Sequence, residues 1–114
     1  MENPQTASEA FSYRERAIEL TVQSLVNHTP PEKDTIIELS ERAANFFVAK
    51  PEHKGVVALM FRQAGETAID LKRYKKAKEL FAKGLAQEYV HPQDKAIMET
   101  GLNKIHSRYL LTSK

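Results

Sequence analysis

The 114-residue chain contains no cysteine. That excludes a disulfide framework, a thiolate metal site and a cysteine nucleophile, and it agrees with a reducing compartment. Glycine is scarce, at four residues, and the four never gather into a phosphate-cradling run or a Gly-x-Ser-x-Gly turn. Long apolar stretches are also missing. No uninterrupted run approaches the ~18 residues of a membrane span, so membrane insertion is not expected. The opening Met1-Glu2-Asn3-Pro4 lacks the basic and apolar regions of a signal peptide. The expected compartment is the cytosol, with the nucleus as the alternative. No segment alternates apolar and polar residues with period two, so strands are not expected either.

What remains is a globular composition, 41% hydrophobic and 28% charged, which is enough for one domain with a real core. Net charge is only +2. Its distribution is uneven. Residues 1–53 carry nine acidic and five basic side chains, a net of −4, and residues 54–114 carry six acidic and twelve basic, a net of +6. Such asymmetry says more about partners than the total does.

The apolar residues repeat with a period near 3.6, which predicts an all-α fold of about five antiparallel helices. Residues 1–5 are polar and expected to be disordered, and 6–114 form a single domain. Thr6 and Glu9 make a capping box for a first helix whose stripe is Phe11, Ile18, Val22 and Leu25. Thr29-Pro30-Pro31-Glu32 reads as a second capping box with Pro30 at the first helical position. The second helix runs through Ile36, Leu39, Ala43 and Phe47, widened by Ile37, Ala44 and Phe46. A third covers about 52–71 on Val57, Met60, Phe61, Ala64, Ala68 and Leu71. The turn Lys72-Arg73-Tyr74-Lys75 leads to a fourth on Ala77, Leu80, Phe81, Gly84 and Leu85. A fifth spans about 93–111 on Met98, Leu102, Ile105 and Tyr109. All breaks are short, as between neighbouring antiparallel helices.

Ala77 and Phe81 follow Ala43 and Phe47 by 34 positions. Around them, small residues fall at Gly65, Ala77 and Gly84 and aromatic ones at Phe61, Tyr74 and Phe81. In this pattern residues 58–91 resemble one tetratricopeptide repeat, a helical hairpin that must stack on a neighbour to cover its apolar face. Residues 24–57 match only in their second half, at Ala43 and Phe47, so the first two helices read as a degenerate hairpin. Ile97 and Gly101 fit a C-terminal capping helix. The resemblance implies a non-catalytic protein–protein interaction module, an adaptor or assembly subunit. It places the partner-binding groove along the third helix at Arg62, Glu66, Ile69 and Asp70. Family members that clamp a terminal carboxylate carry a basic residue at the place of Arg62 and Asn at that of Glu66. Lys95 suits such a clamp, whereas Glu66 repels a carboxylate and Glu99 stands where a basic residue is expected. Residues 58–114 also resemble, more weakly, a microtubule-interacting-and-transport domain. That resemblance implies binding of helical tails of membrane-remodelling proteins. An accessory subunit of an enzyme complex is a further alternative.

The chemistry-bearing residues form no constellation. His28, His53, His91 and His106 lack a ligand partner at metal spacing, so neither metal nor cofactor is expected and the chain is not read as an enzyme. Lys72, Arg73, Lys75, Lys76 and Lys78 place five positive charges within seven residues. They read either as a solvated face or, with Lys95, as a dock for an acidic surface, peptide or helix of a partner protein. Nucleic acid is not expected, because no set of exposed aromatics accompanies the patch.

Overall fold

Helix-breaking and helix-capping residues divide the chain into five α-helices among the described residues, α1 Ala7–Asn27, α2 Lys33–Phe47, α3 Lys54–Asp70, α4 Tyr74–Leu85 and α5 Pro92–Lys104, with no strand. The computed structural model describes residues 1–48 and 50–110, and side chains as far as Ser107. A single 3₁₀ turn, Pro51–His53, leads into α3, and a π-helical segment, Ile105–Leu110, continues α5. The expected end of the fifth helix at Leu111 lies outside the described residues, as does the side chain of Tyr109.

The ends of α1 follow from local chemistry. Glu9 N–H donates to Thr6 Oγ1 at 3.1 Å, and the Glu9 carboxylate accepts from Gln5 N–H at 2.7 Å, one residue earlier than a reciprocal box requires. At the other end His28 adopts the left-handed conformation (φ 53) and closes the helix onto the Ser24 carbonyl. The second expected capping box does not form. α2 begins at Lys33, and its cap, Glu32, makes no side-chain hydrogen bond. Consecutive prolines explain this. Each proline pushes the residue before it out of the α region, so Pro31 excludes Pro30 from a helix and Pro30 excludes Thr29. Residues 1–5, read from sequence as disordered, run beside α1 and α2. Pro4 is buried, Tyr13 Oη donates to the Glu2 carbonyl and Arg42 reaches Asn3 Oδ1.

α1 packs on α2, α2 on α3, α3 on α4, and α5 covers both α3 and α4. The rings of Phe11 and Phe47 meet at 5.0 Å, so the start of α1 faces the end of α2 in an antiparallel hairpin. α3 and α4 form the second hairpin, and there the small residues explain the close approach. A Cβ added at Gly65 would lie 2.4 Å from the Phe81 ring. One at Gly84 would lie 2.6 Å from Met98 Sδ, and one at Gly101 2.6 Å from Phe81. Phe81 is thus held between α3 and α5 by two residues without side chains. Phe47, Phe61, Phe81, Ile36, Leu80, Met98 and Ile105 fill the core, with Ala43, Ala44, Ala64, Ala68 and Ala77 between the helices.

α1 departs from expectation. Its large residues, Phe11, Ile18, Val22 and Leu25, are 40–71% exposed, and its buried residues are Ala10 and Ala17. Ala10 and Ala17 permit the close approach to α2, Tyr13 and Leu20 are partly buried against the core, Phe11 keeps its ring on Phe47, and Ile18, Val22 and Leu25 stand half or more exposed.

Candidate partner-binding surfaces

α3 and α5 do not close on each other along their whole length. Between them lies a depression of about 470 Å³. Phe81 forms its floor, Ile69, Ala96 and Ile97 line its walls, and Glu66, Thr100 and Lys104 bring polar atoms. The glycine at 101 leaves the floor open to the Phe81 ring. The valley is therefore apolar inside, with one carboxylate and one ammonium bordering it. Such a site takes an apolar side chain and fixes its orientation through few polar contacts.

Two of the residues expected on the third helix, Glu66 and Ile69, line this valley. Arg62 does not present a free guanidinium to a ligand. Its Nε donates to Asp94 Oδ1 at 2.7 Å and its Nη1 pairs with Glu66. Arg62 and Asp94 are 17% and 14% exposed, so the pair acts as a half-sheltered tie between α3 and α5. Asp70 is exposed at the end of α3 and Lys95 is exposed on α5, each without an ion-pair partner among the described residues. Sequence reasoning placed Ile97 and Gly101 on a capping helix. It did not join them to Phe81 and Lys104 as one surface, because only packing shows which face of α5 turns toward α3.

The basic run divides in two. Lys76 Nζ lies 2.8 Å from Glu41 Oε1 and 3.3 Å from Glu79, Lys83 Nζ lies 2.8 Å from Glu41 Oε2, and Arg73 Nε lies 3.3 Å from Asp34. α2 thus supplies carboxylates to α4, and much of the charge split between the two halves is neutralised inside the chain. Burial raises the Glu41 carboxyl, but the hydrogen bonds and charges of Lys76 and Lys83 outweigh it and hold the carboxyl below its ordinary value. Hydrogen bonding to Glu41 raises Lys76 above its ordinary value, against the effect of its own partial burial. The expectation that Lys76 stands in water is therefore corrected, since it is half-buried and paired. Lys72, Lys75 and Lys78 are exposed and have no ion-pair partner among the described residues.

A second depression, about 210 Å³, lies between α1 and α3, lined by Ala17, Ile18, Thr21, Ile36, Met60 and Ala64. Arg14 borders it and donates to Gln63 Oε1 at 3.0 Å. From Ile18 an exposed apolar stripe continues along α1 to Val22, Leu25 and Val26. The signal that could have located this stripe is the spacing of Ala10 and Ala17, one heptad apart and small, as at Ala77.

Among the described residues, no three His, Asp or Glu side chains gather to hold a metal ion, and no helix is long and apolar enough to cross a membrane. Comparison with protein-family models, with curated proteins and with solved structures finds no match.

Proposed function

We propose that this chain is a non-catalytic protein–protein interaction module, an adaptor or assembly subunit working in the cytosol or nucleus. It takes a helix or extended peptide of a partner protein into the valley between α3 and α5. The observation that carries this reading is the valley itself, an apolar trough over Phe81 with Glu66 and Lys104 beside it. A helix laid in such a trough buries one or two large apolar side chains and leaves its charges to the border. The stacking of one hairpin on the next supports the repeat-like reading, since the residues expected to be small, Gly65, Ala77, Gly84 and Gly101, are those at which the helices close on one another. The free lysines at 72, 75 and 78 make an acidic partner surface favourable for the encounter, a contribution that salt weakens.

Site-specific photo-crosslinking tests the assignment. A photoreactive side chain replacing exposed Thr100, beside the valley, should capture the partner in native lysate. The same group replacing exposed Glu88 should not. Capture from both positions equally, or from Glu88 alone, removes the valley as the site.

A further inference from the structure

Arg14 differs from the other arginines whose side chains are described. Arg16, Arg42, Arg62 and Arg73 each pair with a carboxylate. Arg14 has only the neutral amide of Gln63, whose Oε1 accepts from Arg14 Nε at 3.0 Å. The Nη1 and Nη2 groups of Arg14 have no hydrogen-bond partner among the described residues. The residue is nonetheless partly buried. Sheltering a cation costs free energy unless an anion meets it, so this position favours an anion supplied from outside the chain.

The surroundings select the kind of anion. Arg14 borders the depression between α1 and α3, whose floor and walls include Ala17, Ile18, Ile36, Met60 and Ala64, and no carboxylate lines it. The α3–α5 valley, by contrast, has Glu66 on its border. The depression of about 210 Å³ has room for about seven water-sized atoms at ~30 Å³ each. We infer that it binds a free monocarboxylic acid with a short apolar tail, the carboxylate on Nη1 and Nη2 of Arg14 and the tail over Ile36, Met60 and Ala64. A guanidinium holds a carboxylate through two parallel hydrogen bonds, and the bond to Gln63 fixes its plane beforehand.

Other ligands fit less well. A dianion such as a phosphate monoester would set a second charge against apolar walls that carry no second cation. A peptide needs partners for its backbone. The hydroxyls of Thr21 and Ser40 donate to the Ala17 and Ile36 carbonyls of their own helices, which leaves the walls few donors to offer it. A short acid needs only the guanidinium and the apolar wall, as small-molecule sites generally do. The inference does not rest on the α3–α5 valley, because the depression lies on the α1 side of α3.

Titration of hexanoate into the isotope-labelled full chain, followed by nuclear magnetic resonance, tests it. Shifts should gather at the Arg14 Nε–H and at the amides of Ala17, Thr21, Ala64 and Thr67, and should saturate as one site. Hexanoate should bind about tenfold or more tighter than hexanol or hexylamine, which share its tail but lack the carboxylate. Acetate, which lacks the tail, should not saturate. Arg14→Met should abolish the preference for hexanoate over hexanol, while hexanol still shifts the wall residues and so reports that the depression survives. Arg14→Lys keeps the charge without the paired donors and should lose most of the preference. Equal affinity of the parent for hexanoate and hexanol overturns the inference. So does a hexanoate preference that persists in Arg14→Met, or shifts confined to the exposed lysines 72, 75 and 78.

Discussion

Glu41 holds two lysines at once, and its behaviour with pH follows from that. Its folded carboxyl titrates below the ordinary range, so the stability it contributes is present above the ordinary carboxylate value and is lost as pH falls through the lowered one. Lys76 has the opposite sign. Its contribution is complete below the ordinary lysine range and is lost as pH rises through the raised value. Glu41→Gln should therefore flatten the acid limb of melting temperature against pH below about pH 4.5 and leave a lower plateau at neutrality. An acid limb identical to the parent's would show that Glu41 is not the coupled group. Packing gives a second prediction at this scale. Gly65→Ala forces the Phe81 ring to move and should cost about 1–3 kcal/mol in denaturant unfolding. Ala77→Arg, at a fully buried site, should cost more because an unpaired charge is added to the overpacking. Lys75→Ala, on the exposed side of α4, should stay within about 0.5 kcal/mol of the parent. Equal melting temperatures for Ala77→Arg and Lys75→Ala would remove Ala77 from the helix contact.

At the scale of the element, α4 has two unlike faces. Lys76→Glu would set a third carboxylate against Glu41 and Glu79, and should destabilise by roughly 1 kcal/mol or more, since the half-buried Glu41 loses one of its two lysine partners and gains a like charge. Lys75→Glu should not. Reversing both together therefore tests stability before it tests binding, and the free lysines 72, 75 and 78 are the set whose reversal reports on charge-steered association. The turn before α4 gives another test. Lys72 holds φ 63, a conformation that costs an ordinary residue about 1 kcal/mol and glycine little, so Lys72→Gly should raise stability by about 0.5–1 kcal/mol. The helices themselves were legible. Apolar positions at period 3.6 located α2, α3, α4 and α5, and the small residues Gly65, Ala77 and Gly84 located the contact of α3 with α4. α1 was legible as a helix but not in its orientation. It carries two apolar faces, one with Ala10, Ala17 and the partly buried Tyr13 and Leu20, the other with Ile18, Val22 and Leu25, and the expected stripe took the second. Packing turned the first toward the core, because Ala10 and Ala17 allow α2 to come close.

For the whole molecule, the charge split of −4 and +6 was readable, yet its use was not. Sequence order cannot show that α2 and α4 bring Asp34 and Glu41 against Arg73, Lys76 and Lys83. The same holds for the candidate site. Glu66 and Ile69 were legible from helix position, whereas Phe81, Ile97 and Lys104 join them only after α5 folds back over α3 and α4. We propose that the α3–α5 valley receives the partner, and hydrogen–deuterium exchange of the full chain, free and bound to the partner captured through position 100, tests this. Binding should slow exchange in 66–71 and 96–104 and leave 74–79 unchanged. Protection confined to 72–79, with the valley segments unaltered, would contradict it.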